Sequence, residues 1–261
     1  MVAPHGGRGP PARWIESRRA GNEALMVKTP GVTEAPEITI AMPAYNERAT
    51  IERAVQSVLD AELPSYELLV VDDGSTDGTQ EILANGSWPA HVRVLQHERN
   101  RGKGEALRTA VREARGRYTT VLDADLEYRA DDIPALIEPL RSGDARAVFG
   151  TRGFQSHSAY SFWYVVGNRG VALAANMIYN SWISDIMTGH KAIETELFRS
   201  LELRERGFAI EAEITARLLS RGVRIYEVPV IYRARSREEG KKLTALDGVR
   251  VIITLLRCRI S

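Results

Sequence analysis

From Glu37 onward, short continuous apolar runs alternate with stretches whose apolar residues recur at helical spacing. Residues 38–42, 68–71, 92–95 and 118–122 are the apolar runs, and each reads as a strand. Between the first two, residues 49–61 predict a helix, with Ile51, Ala54, Val55, Val58 and Leu59 on one face. Helices are likewise predicted over 76–84, 104–115 and 130–141. Strands alternating with helices in this way imply βαβ units and a mostly parallel sheet. Unbroken apolar strands fit a sheet buried on both faces. The second half is less regular. Residues 147–149 form a strand running into Gly150, Thr151 and Arg152, and residues 162–182 form a long, mostly apolar segment. A helix follows over 209–219, a strand over 224–232, and an amphipathic helix over 245–260.

The fold class expected is therefore α/β, Rossmann-like, with helices flanking the sheet. The 261 residues suffice for one large core, and no linker divides them, so residues 36–261 are taken as one domain. Residues 1–35 are rich in Gly, Pro, Arg and Ala and have no apolar signal core. They read as a disordered extension with a short helix near 14–26. With 35 basic and 34 acidic residues there is no global field for nucleic acid, and any basic site must be local. The single Cys258 fits a reducing, cytoplasmic compartment. No purely apolar run of eighteen residues occurs, so no transmembrane helix is expected.

The strand over 118–122 runs into Asp123 and Asp125, with Glu127 two residues on. Side chains at i and i+2 of an extended chain share a face, so the acids would converge where the strand stops. Such a cluster repels itself unless a cation sits in it. A hard divalent ion is held by one or two carboxylates, with substrate phosphates completing its shell. The ligand expected is a metal–diphosphate.

Other strand ends carry polar loops, and in open parallel sheets ligands bind outside those ends. Asp72-Asp73-Gly74-Ser75-Thr76-Asp77-Gly78 is sound turn and capping chemistry, and Asp73 could equally accept hydrogen bonds from a base or a ribose. Gly102-Lys103-Gly104 is either a flexible turn or an anion cradle at a helix start. Glu47 either supports a helix dipole or lines a pocket. Five cations fall between Arg233 and Lys242, offset only by Glu238 and Glu239. A near-neutral chain that concentrates cations there fits an anionic partner, against the plain reading of a solvated loop.

Pro43-Ala44-Tyr45-Asn46-Glu47, Asp72-Asp73-Gly74-Ser75, Gly102-Lys103-Gly104 and Asp123-Ala124-Asp125 occur in this order, and together resemble family 2 glycosyltransferases of the GT-A fold. The later run from Asp185 to Lys191, then Phe208 to Glu213, then the basic loop, is similar to the dolichyl- or polyprenyl-phosphate sugar transferase branch. The resemblance spans about residues 37–251. It implies that Pro43, Tyr45, Glu47 and Asp73 line the nucleotide pocket, with Lys103 close by. It implies that Asp123, Asp125 and Glu127 bind Mg²⁺ or Mn²⁺, Asp125 most directly. Relatives often have Gln at the Glu127 position, so a carboxylate there adds negative charge. Arg152 and Arg169 match arginines that hold an acceptor phosphate. Arg235, Lys241 and Lys242 match a loop that closes over donor and acceptor phosphates.

The implied activity is inverting, metal-dependent transfer of a sugar from a GDP- or UDP-linked donor to a polyprenyl phosphate. The alternative keeps the donor and takes a soluble hydroxyl acceptor, a small metabolite or a natural-product core. A phosphate acceptor is already an anionic nucleophile, whereas a hydroxyl needs a general base. Asp185, Glu211 and Glu213 are the base candidates, and Glu213 also pairs at i, i+4 with Arg217. Aromatic residues at both ends of 162–182 suit either a buried helix or one lying peripherally on the membrane face.

Overall fold

The computed structural model describes residues 15–17, 25–28, 35–152, 162–234 and 245–260. They form one sheet of nine strands, in the order β1-β2-β5-β4-β3-β6-β8-β7-β9. Its centre is the parallel block of β3 (Ile38–Ala44), β4 (Tyr66–Asp72), β5 (Val92–Gln96) and β6 (Tyr118–Val121). β8 (Lys191–Glu194) lies antiparallel between β6 and β7 (Ala147–Arg152), and β9 (Ile225–Val230) runs parallel to β7 at the far edge.

Period-two alternation feeds two cores. Ile38, Ile40 and Met42 of β3 and Leu68 and Val70 of β4 pack on one face with Ile51, Ala54, Val55 and Val58 of α1 (Ile51–Asp60). Ala41, Leu69 and Val71 point the other way, against Ala106, Leu107, Ala110 and Val111 of α3 (Lys103–Glu113). The central strands read as unbroken apolar runs because both faces are covered. Each Val, Leu, Ile or Met among them, shut from water, contributes roughly 1.5–3 kcal/mol. A third cluster joins α5 (Phe162–Tyr179), α7 (Ile210–Ser220) and α8 (Ala245–Ile260).

Several expectations are corrected. Ile15–Ser17 (β1) and Leu25–Lys28 (β2) are strands, β1 paired to β2 and β2 to β5, where a helix near 14–26 was expected. α2 (Thr79–Asn85) starts later than expected because Gly78 is left-handed and Asp77 accepts the Thr79 amide at 3.0 Å. A 3-10 turn (Ala130–Asp132) precedes α4 (Ile133–Arg141). β8 and α6 (Thr195–Ser200) were not foreseen. No helix among the described residues is long and apolar enough to cross a membrane.

Candidate active site

The loops after β3 and β4 are stitched together. Asn46, left-handed at φ +54°, donates its amide to Ser75 Oγ at 2.9 Å and accepts the Thr76 amide on Oδ1 at 2.9 Å. The Glu47 amide reaches Thr79 Oγ1 at 3.0 Å, and Glu47 Oε2 accepts the Thr50 hydroxyl at 2.7 Å. Pro43, Tyr45 and Glu47 are thereby held half-buried at the carboxyl end of β3. A cleft of about 1100 Å³ opens beside them, lined among others by Glu47, Arg48, Arg53, Asp125, Arg129 and Arg233.

Asp72 and Asp73 are both buried. Asp72 accepts the Ser75 hydroxyl at 2.5 Å, and burial pushes its carboxyl above the usual range against that bond. Asp73 accepts His97 Nδ1 at 2.7 Å, the Arg101 amide at 3.0 Å and the Gly102 amide at 2.7 Å. His97 Nε2 in turn meets Thr109 Oγ1 at 3.0 Å. Asp73 is thus the clasp of the loop that carries Lys103. The loop fits tightly: a Cβ on Gly104 would stand 2.0 Å from the Glu205 carbonyl oxygen.

The acidic triplet does not converge as alternation predicts. β6 stops at Val121, and Leu126 takes a left-handed φ of +62°, which breaks the extended run between Asp125 and Glu127. Asp123 turns to Lys103, Nζ to Oδ2 2.7 Å. Asp125 Oδ1 accepts the Glu127 amide at 3.0 Å, and Glu127 Oε2 accepts the Tyr232 hydroxyl at 2.7 Å. Among the described residues no three His, Cys, Asp or Glu side chains form a metal cage. Asp123 and Asp125 remain as hard oxygen donors of the kind a Mg²⁺ or Mn²⁺ shares with substrate phosphates. Gly189 makes room for Asp123, since a Cβ there would stand 2.7 Å from Asp123 Oδ2.

Lys103 also reaches Glu211 Oε1 at 3.0 Å, and Lys191 Nζ reaches Glu211 Oε2 at 2.5 Å. Burial pulls the Lys103 pKa down, but Asp123 and Glu211 outweigh it and hold the value above that of an ordinary lysine. Burial raises the Asp123 carboxyl despite Lys103. Burial also acts to raise Glu211, but Lys191 and Lys103 together hold it below the usual carboxylate value. Lys191, enclosed entirely, is lowered by its burial. Glu211 is therefore spent on two lysines. Glu213 accepts the amides of Arg204 and Glu205 at 2.8 and 2.7 Å. Both are positioned as structural groups rather than as bases.

Arg152 grips Asp185 through two bonds and lies over the Tyr232 ring at 5.1 Å. Arg169 stands exposed on α5. Arg235, Lys241 and Lys242 lie outside the described residues. His97, His190, Lys191 and Tyr232 were missed as contributors. Only their place in the fold, against Asp73, Val121, Glu211 and Glu127, gives them a role.

A mostly parallel sheet with polar loops at its strand ends and a Lys-clasped acidic corner is the architecture of a nucleotide-sugar-dependent glycosyltransferase of the GT-A class. The chain belongs to glycosyl transferase family 2, whose profile matches residues 39–201. It is similar to glycosyltransferase AglJ of Haloferax volcanii, 31% identical over 222 residues, covering 84% of this chain and 71% of that one. Dolichol-phosphate mannosyltransferase of Pyrococcus furiosus is 29% identical over 210 residues, covering 78% of this chain but only 59% of its own length. Among solved structures, glucosyl-3-phosphoglycerate synthase from Mycobacterium tuberculosis, in complex with Mn²⁺, UDP and glucosyl-3-phosphoglycerate, superposes with a TM-score of 0.63 at 26% identity, covering 85% and 80% of the two chains.

Proposed function

We propose that the protein catalyses inverting, divalent-metal-dependent transfer of a sugar from a GDP- or UDP-linked donor to a polyprenyl phosphate at a membrane face. The observation that carries the lipid acceptor is an apolar surface on α5, the turn after it and α8. Leu173, Met177, Trp182 and Ile260 are 60%, 77%, 85% and 87% exposed. On α8 the exposed Val249, Ile253, Leu256 and Ile260 recur at i, i+4, i+7 and i+11, with exposed Arg250, Arg257 and Arg259 beside the stripe. α5 adds Val166, Leu173 and Met177 on the same face as Arg169 and contains no acidic residue. An apolar stripe edged by arginines is the pattern of a helix lying in the interface of an anionic bilayer.

Asp125 and Asp123 would hold a divalent cation, whose contribution when bound is to offset charge growing on the departing diphosphate. Arg152, exchanging Asp185 for the acceptor phosphate, would orient the nucleophile. The fork of a guanidinium matches both anions. A phosphate nucleophile needs no proton removed, in keeping with Glu211 and Glu213 being otherwise engaged. The solved synthase with phosphoglyceric acid supports a second reading, a small soluble phosphate-bearing acceptor.

The test is incubation with labelled GDP- and UDP-sugars, together with either polyprenyl phosphate in anionic vesicles or phosphoglycerate. Label extracted into the lipid phase is expected, and label confined to a water-soluble product selects the second reading. Ile253→Glu with Leu256→Glu, both on exposed positions, should abolish vesicle association in flotation without changing thermal stability.

A further inference from the structure

Four charged side chains stand in a row of alternating sign: Asp123, Lys103, Glu211 and Lys191. The successive separations are 2.7, 3.0 and 2.5 Å. The far end is rigid. Lys191 is wholly buried, lies 4.7 Å from the Phe149 ring centroid, and meets the carbonyls of Thr188 and of Ile186, the latter at 3.4 Å, besides Glu211. It therefore pins one oxygen of Glu211 and leaves the other for Lys103.

The backbone of Lys103 is equally constrained. Asp73 clasps the preceding amides, and the Gly104 amide donates to the Arg206 carbonyl at 2.7 Å. What is left free is the lysine stem, whose ammonium bridges two carboxylates from different parts of the chain. One of those carboxylates, Asp123, is among the two that the proposed function gives to the divalent cation.

An ammonium 2.7 Å from Asp123 Oδ2 already neutralises the carboxylate that a cation would use. Two positive groups cannot share one carboxylate without strong mutual repulsion. An ammonium driven from Asp123 into a buried setting would be costly unless paired. Glu211 already provides that partner and needs no rearrangement to do so.

We propose that Lys103 is a built-in competitor for the divalent cation at Asp123, and that Glu211, positioned by Lys191, is the seat that keeps the ammonium when the cation takes Asp123. The proposal rests on the metal-dependent reading above and adds to it an order of events. The cation alone must displace an ammonium and so binds weakly. A nucleoside diphosphate supplies phosphate oxygens both to the cation and to the released Lys103, so the two ligands bind with positive coupling. Lys103 thereby senses donor occupancy, while Glu211 and Lys191 act through it as positioning residues.

The experiment titrates Mn²⁺ into the full chain by electron paramagnetic resonance, with and without UDP or GDP. It compares wild type, Lys103→Met, Glu211→Gln and the double variant. Lys103→Met should tighten Mn²⁺ alone by about tenfold or more and flatten the dependence on diphosphate, while slowing turnover. Glu211→Gln should weaken Mn²⁺, because the ammonium is then confined to Asp123, and that weakening should vanish in the double variant. A merely structural Glu211 would weaken Mn²⁺ equally in both backgrounds, which overturns its role as a seat. If Glu211→Gln does not fold by thermal melt, Lys103→Met decides alone. Wild type that binds Mn²⁺ with diphosphate, together with a Lys103→Met variant that binds Mn²⁺ no tighter, overturns the proposal and leaves the metal-dependent reading standing. No Mn²⁺ binding by either protein, with or without diphosphate, overturns both.

Discussion

Arg152 holds Asp185 in a parallel fork, Nε to Oδ2 2.6 Å and Nη2 to Oδ1 2.7 Å. The pair joins the end of β7 to the loop before β8, and through the stacked Tyr232 it touches Glu127. Asp185 is consequently a counter-ion waiting on an arginine, not a carboxylate open to take a substrate proton.

Asp185→Asn should therefore keep most of its activity toward a phosphate acceptor. The Asn oxygen still accepts one bond from Arg152, and an ionised nucleophile asks for no base. A fall in kcat of less than about tenfold is expected, with the acid limb of the pH–rate profile unmoved. Loss of two or more decades together with the acid limb is the size of a general-base contribution and would favour a hydroxyl acceptor.

Asp125 and Glu127 should separate sharply. Asp125 lines the cleft, and Asp125→Ala should cost about 10²–10³ in kcat, the loss seen when one preorganised electrostatic partner is removed. Glu127 is engaged by Tyr232, so Glu127→Gln, which keeps an acceptor for that hydroxyl, should cost less than about tenfold. Steady-state kinetics across a Mn²⁺ series measures both. Equal losses would mean that the triplet regroups around the ion after all.

The sheet was readable from pattern alone where local period and burial agree. Ile38, Ile40 and Met42 against Ala41, and Leu68 and Val70 against Leu69 and Val71, sort onto two faces by parity. α1 and α3 follow from their apolar spacing in the same way. β8 was hidden because it is four residues long, carries charge at both ends and buries a lysine, the reverse of a strand signal. The site was readable as a set of residues but not as a geometry. Alternation fails at the left-handed Leu126, and the pairings of Lys103 with Glu211 and of Asp73 with Gly102 join distant stretches of chain that no periodicity relates.

Asp73→Asn tests the clasp. The amide group turns a donor toward amides and an imidazole that already donate, leaving the half-buried N–H groups of Arg101 or Gly102 unmatched. Such a mismatch at a buried carboxylate should cost about 3 kcal/mol, read as a lower urea midpoint at unchanged slope. Turnover should fall as well, because the loop that aims Lys103 loosens. Unchanged stability would show that the clasp contributes nothing.

His190 sets an acid limit on the fold. It is wholly buried, stacks on Tyr128 with centroids 5.3 Å apart, and its Nδ1 meets the Val121 carbonyl at 2.8 Å. Burial drives its pKa down to about 4, against the smaller opposing pull of that carbonyl. The unfolded chain thus takes up a proton near the ordinary value of about 6.5 while the folded chain refuses it until about 4. Stability is complete above the higher value and is lost as pH falls through this window, by roughly 3 kcal/mol for a shift of this size. His190→Asn keeps a donor near the Val121 carbonyl and cannot titrate. Its stability should start lower at neutral pH, from lost packing against Tyr128, and then decline less steeply on acidification. Urea unfolding at pH 7.5, 6 and 4.5 for both proteins measures the slopes. Parallel slopes would assign the acid sensitivity to other groups.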